Sequence, residues 1–353
     1  MAAAEYAYTP TSPGAITKAL GDVFAAMESA GQRFNRSANT NVIVAVSSVD
    51  SLRELETSID SLSLVHPSRF FVVYIDDKLK RVETAISARC HGLSRSEHAC
   101  SEVVRIGTPR ADLWLVPSII RGNFMVGMPA ELYLADGDIS QDLVDKLSPL
   151  ADLVIFDSGD FSSRLDILAE TARFCSNLLD LEWVELGPWR DEIKGAFARG
   201  LIRDLLPDLT AIVVRASGGV GNLPSFGALL LGGWMVDRLG LSHLLGRHGD
   251  IHAQLPGGRH KQVSLRFEGC PGEGRQIEEV TFLFESAEGK SALRLVRDES
   301  IEVSVEGARK MHWSRPVEDE SRDELIRRYF LIGESTANYN AALRVALHLR
   351  NIE

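Results

Sequence analysis

After Ser12-Pro13, apolar residues recur at helical spacing at Ile16, Leu20, Val23, Phe24 and Met27. The hydroxyl and the proline stand where a helix opens. The next block, NVIVAVSSV (Asn41–Val49), shows no alternation, and such a short β-branched run predicts a strand buried on both faces. Ser51 and Glu54 have the spacing of a capping box, which opens a predicted helix with Leu52, Leu55, Ile59 and Leu62 on one face. FFVVYID (Phe70–Asp76) is a second buried strand, and strand–helix–strand order predicts a parallel unit. Ala85–Cys90 and Ser101–Ile106 read as extended, and Ala111–Met125 as helical with a boundary at Pro117. Glu131–Asp138 and Asp152–Asp160 are two more strands, each ending in carboxylates and glycine. Gln141–Leu150 between them is helical, and Ser163–Leu179 forms an amphipathic helix beyond.

The pattern changes after residue 200. Leu206–Ala216 reads as a strand, and a glycine-rich connection leads to a strongly apolar helix, Phe226–Leu241. Four alternating runs follow, QVSLRFEG, EEVTFLFES, SALRLVRD and SIEVSVEG, and their short links predict an antiparallel meander. A long helical region over about 319–349 closes the chain. The expected architecture is an α/β N-terminal domain with a mostly parallel sheet over 1–203, followed by an α+β C-terminal domain with an antiparallel meander over 204–353.

Hydrophobic residues at 45% and charged residues at 25% suffice for two buried cores without metal or disulfide support. The formal charge of −11, from 38 Lys+Arg against 49 Asp+Glu, argues against nucleic acid and anionic membranes as partners. The acidic stretch around Glu318–Glu324 reads as a solvated helix start. No apolar run is long enough for a membrane span, and MAAAEYAYTP lacks the basic and apolar parts of a secretory signal, so a cytoplasmic location is expected. Cys90, Cys100, Cys175 and Cys270 match no metal-ligand spacing, even with His91 and His98 nearby, and are expected to be reduced thiols.

Candidate chemistry is sparse. Gly218, Gly219 and Gly221 lie between a strand and a helix, the setting of a phosphate-binding loop, but Pro224 replaces the last glycine of the fingerprint. Asp136, Asp138, Asp157 and Asp160 stand at strand ends, where they can cap helices, hold a cation or share a proton. No complete catalytic set, metal site or cofactor fingerprint is present, so neither metal nor cofactor is expected. One segment is dense in interface-type residues: DLEWVELGPWR, from Asp180 through Trp183, Pro188 and Trp189 to Arg190.

That segment resembles the D-L-x-W-x-x-L-x-P-W-R motif of the OpcA family. HPSRFFVVYID, with His66, Pro67 and Arg69, ADLVIFDSGDF and LLLGGWMVDRLGL resemble three further family blocks in order and spacing. An aromatic pair common in the family after MPAELYLADGD has no counterpart here. The resemblance implies a non-catalytic assembly factor or allosteric activator of glucose-6-phosphate dehydrogenase, with that enzyme as partner. His66, Pro67, Arg69, Asp180, Trp183, Pro188, Trp189 and Arg190 would then be partner-binding or motif residues. The alternative, resting on the strand-end carboxylates, the 217–222 loop and the His66/Arg69 turn, is an α/β enzyme or sensor that binds a sugar phosphate.

Overall fold

The computed structural model describes residues 8–29, 34–35, 39–92, 98–161, 167, 177–219, 224–247, 249–271, 276–307, 310–318, 320–332 and 336–352. The chain divides into two compact units, Met1–Leu181 with Ser321–Glu334, and Glu182–Glu320 with Ser335–Glu353.

The first unit is built on a nine-stranded sheet. Its strands are β1 (Thr9–Thr11), β2 (Phe34–Asn35), β3 (Asn41–Val46), β4 (Arg69–Ile75), β5 (Glu83–Gly92), β6 (His98–Thr108), β7 (Ala130–Leu134), β8 (Leu153–Phe156) and β9 (Leu178–Asp180). They lie in the order β1-β5-β6-β4-β3-β7-β8-β9, with β2 beside β6. β6, β4, β3, β7, β8 and β9 run parallel to one another, while β5 is antiparallel to β6 and β1 is antiparallel to β5. β3 is central because every one of its residues, NVIVAV, is buried, so both of its faces are covered. Counted along the chain from β3, the parallel strands lie in the order third, second, first, fourth, fifth, sixth, which is the doubly wound arrangement. Its switch point lies between β3 and β7, where the path leaves one side of β3 and resumes on the other.

The cap of the helix Val49–Val65 is Ser48, whose hydroxyl accepts from Ser51 N–H, so the helix opens ahead of the Ser51–Glu54 box expected from sequence. Ala111–Met125 is a tight helical turn, Arg110–Leu115, followed by helix Val116–Gly122 with Pro117 in its first turn. The helix expected over 163–179 falls almost wholly outside the described residues, and Leu178 and Leu179 belong to β9.

The second unit carries an eight-stranded sheet. Its strands are β10 (Leu209–Ala216), β11 (Ser242–Arg247), β12 (Asp250–Gln254), β13 (Val263–Gly269), β14 (Ile277–Ser286), β15 (Gly289–Arg297), β16 (Ser300–Glu306) and β17 (Met311–Pro316). The order is β11-β12-β13-β10-β14-β15-β16-β17. The antiparallel sheet is present, but the four-strand meander is corrected: β10 lies between β13 and β14 and runs parallel to β13. The apolar helix Phe226–Leu239 makes that parallel return possible. It is apolar on nearly all sides because Phe226 through Val236 are all buried. Its partners include helix Thr336–Arg350, the second of two helices where one long one was expected.

Cys90 and Cys100 are opposite each other across β5 and β6, with Cα atoms 4.1 Å apart, and form a disulfide. The expectation of four reduced thiols is therefore corrected. The antiparallel register creates this pairing, and spacing in sequence does not reveal it. Cys270 is a free thiol, and Cys175 lies outside the described residues. No helix among the described residues is long and apolar enough to cross a membrane.

Candidate functional site at the carboxyl edge of the parallel sheet

All parallel strands of the first unit end on one edge, so their exit loops are neighbours whatever their distance in sequence. Hydrogen bonds tie these loops together. After β4, Asp76 accepts from Lys78 N–H at 2.9 Å, and Asp77 accepts from Arg110 N–H at 2.9 Å in the loop after β6. The Arg110 guanidinium donates to Asp142 at 2.8 Å, at the start of helix Gln141–Leu147, which follows β7. Ser140 caps that helix.

The segment after β6 and the helix after β7 frame an open cleft of about 360 Å³ lined by Arg110, Leu113, Trp114, Asp142, Asp145 and Lys146, together with Ala111. Trp114 is 65% exposed, although an indole of that size is ordinarily covered. The walls thus offer one free aromatic face, two cations and two carboxylates. Two larger hollows, of about 750 and 660 Å³, share Pro13, Arg81 and Val82 beside the start of β5. Tyr74, which lines the larger of them, is packed against Gly107, where a Cβ would come within 2.7 Å of the Tyr74 hydroxyl. Tyr74 is half-buried whereas Trp114 is exposed, so the smaller cleft offers the more open aromatic face.

The strand-end carboxylates lie on the same edge and are already engaged. Asp136 accepts from Ser47 N–H and from Asp138 N–H, both at 3.0 Å. Asp157 accepts from Gly159 N–H at 3.0 Å and from Arg322 at 3.3 Å. Arg322 also pairs with Asp160 and donates to the Ala135 carbonyl at 3.0 Å. This guanidinium stands where a shared cation was one expectation for these carboxylates. Gly137 is required at this crossing, since a Cβ there would overlap the Asp160 carbonyl.

The motif residues lie elsewhere. His66 ends helix Val49–Val65, contacts Thr40 Oγ1 at 3.1 Å, and is held below its ordinary pKa by burial. Pro67 accepts from Asn39 N–H. Arg69 is buried at the amino end of β4, with its Nε 2.5 Å from Glu102 and its Nη1 2.6 Å from the Asn123 carbonyl. Asp180, fully buried at the end of β9, accepts from Ser158 N–H at 2.9 Å.

In the second unit, Trp183 and Trp189 are both 1% exposed. Arg190 is buried, stacks 3.6 Å from the Trp183 ring and donates to the Trp183 carbonyl at 3.0 Å. Tyr339 meets Trp183 edge-on at 5.7 Å, and Pro188 stands in the first turn of helix Gly187–Ala198. Trp183 and Arg190 are thus packed together, and Trp189 is buried as well. Gly218 has φ 75° and Gly219 follows it, while Gly221 lies outside the described residues.

The cleft residues Arg110, Trp114, Asp142 and Lys146 were not singled out from sequence. Their one signal was a lone tryptophan just before Pro117, and its exposure is a property of the fold.

No protein-family model matches the chain, and neither does any curated protein. Among solved structures it is similar to an oxidoreductase from Sinorhizobium meliloti, at 11% identity and TM-score 0.47, covering 89% of this chain and 95% of that one. The super-repressor mutant of Gal80p from Saccharomyces cerevisiae is similar at 11% identity and TM-score 0.45, covering 90% and 95%. Levoglucosan dehydrogenase in complex with NADH is similar at 10% identity and TM-score 0.43, covering 89% and 96%. The OpcA reading is corrected by these findings. No match supports that family, and the similar structures are oxidoreductases and a regulator rather than dehydrogenase assembly proteins. The non-catalytic role and the assembly function inferred from that resemblance fall with it.

Proposed function

We propose that the protein binds a phosphorylated sugar at the Trp114 cleft, as an enzyme acting on that ligand or a sensor of it. The supporting observation is Trp114 itself, an exposed indole at the carboxyl edge of a doubly wound sheet, where such folds hold their ligands. An aromatic face packs against the C–H face of a sugar ring, and its amphipathic neighbours are the usual specificity groups. Asp142 and Asp145 supply acceptors for hydroxyls, while Lys146 and Arg110 supply charge for a phosphate. The cleft's size is within the ordinary range for small-molecule sites.

Titration of the full chain with hexose and pentose phosphates, read by tryptophan fluorescence and calorimetry, tests this reading. Saturable binding is expected for at least one ligand, with the unphosphorylated sugar bound more weakly. Trp114→Ala should weaken binding by about tenfold or more with unchanged melting, since the ring is not part of a core. Lys146→Ala should narrow the gap between phosphorylated and plain sugar. Following the bound sugar by NMR distinguishes turnover from sensing. No saturation by any member of the panel at about 10 mM, a range weaker than ordinary metabolite sites, would sink the proposal.

A further inference from the structure

The doubly wound strand order is the one that seats a dinucleotide, so the first strand–turn–helix must be tested against that group. In part it fits. Asp76 directly follows β4, the position from which a carboxylate takes a ribose diol.

The turn itself does not fit. Its sequence, Val46-Ser47-Ser48-Val49-Asp50-Ser51, contains no glycine, and a diphosphate needs glycine for close approach to the backbone. The Ser47 N–H, which would face the phosphates, donates instead to Asp136 Oδ2 at 3.0 Å. The same carboxylate accepts from Asp138 N–H at 3.0 Å, which fixes it in place. Ser48 Oγ takes the Ser51 N–H at 3.2 Å, and Asp50 adds a second negative charge in the first turn of the helix.

We infer that Asp136 is a built-in occupant of the anion seat, and that this protein does not use a bound nicotinamide or flavin dinucleotide. Any chemistry on its ligand then proceeds without one. The inference concerns the β3–β7 switch point and does not depend on the sugar reading of the Trp114 cleft.

The experiment is a pair of titrations on the full chain at low salt. NADH and NADPH, followed by their own emission, should show no saturable binding up to about 1 mM. Inorganic pyrophosphate should bind Asp136→Asn at least about tenfold more tightly than wild type, because one like charge at contact distance is removed. Asp136→Ser serves if the asparagine variant does not fold, and thermal melting verifies each. Micromolar binding of either dinucleotide by wild type overturns the inference, as does an unchanged pyrophosphate affinity in a folded Asp136 variant. Trp114→Ala, measured in parallel, should alter sugar-phosphate binding and leave both of these results alone. Failure of one proposal is thereby distinguishable from failure of the other.

Discussion

Glu131 illustrates how burial sets chemistry at a single residue. It lies near the amino end of β7, and its Oε2 is buried without a hydrogen-bond partner in the described structure. Burial first, and the nearby Asp152 second, raise its pKa from 4.5 to about 7. Between those values the folded state binds the proton that the unfolded state has released, so stability falls as pH rises through this window and is level outside it. Glu131→Gln should abolish that slope and add about 1–3 kcal/mol at pH 8, measured by denaturant melts across pH 4–9. A wild-type profile flat from 4.5 to 7 would count against it. Sequence alone marked the aspartates beyond the carboxyl ends of β7 and β8 and passed over Glu131 near the amino end of β7. Charge is visible in a sequence, but desolvation is not. The same holds for Trp183 and Arg190: their density was legible, whereas their packing against each other and Tyr339 required the folded unit.

Between elements, close approach decides which residues are tolerated. Helix Phe226–Leu239 meets helix Thr336–Arg350 at Gly233, where a Cβ would lie 2.5 Å from the Ala342 carbonyl and 3.0 Å from Ala346 N. Gly233→Ala should force the helices apart and cost about 1–3 kcal/mol, despite alanine's better helix propensity. Gly195→Ala, in helix Gly187–Ala198 with open space at its Cβ, should instead stabilise by about 0.4–1 kcal/mol. Opposite signs in thermal melts check the pair, and equal effects would show that the contact is not limiting. The LLLGGWMV segment announced an apolar helix, yet which neighbour each glycine faces, Phe267 for Gly232 and the Ala342 carbonyl for Gly233, is fixed by how the helix is turned. The β5–β6 pairing makes the same point. Both strands were readable, but only register joins Cys90 to Cys100.

Across the whole molecule, the chain passes from the first unit to the second and returns. Ser321–Glu334 belongs to the first unit, through Arg322 on Asp157 and Asp160, while helix Thr336–Arg350 belongs to the second. A chain ending at Pro316 should therefore lose stability in both units, leaving the half-buried carboxylates Asp157 and Asp160 without their guanidinium and the face of helix Phe226–Leu239 uncovered. Limited proteolysis should cut both units early, and protection of residues 1–181 equal to that of the full chain would refute the expectation. The sequence by itself determined the α/β character of the first half, its buried parallel strands, the apolar helix at 226–239 and most strands of the second sheet. These depend on local periodicity, which the order of residues carries directly. Tertiary structure alone decided the insertion of β10 between β13 and β14, the disulfide, the engagement of Asp136 with the first turn, and the exposure of Trp114. Each of these depends on which distant segments become neighbours, and one short apolar run is compatible with many neighbours until the sheet order is set.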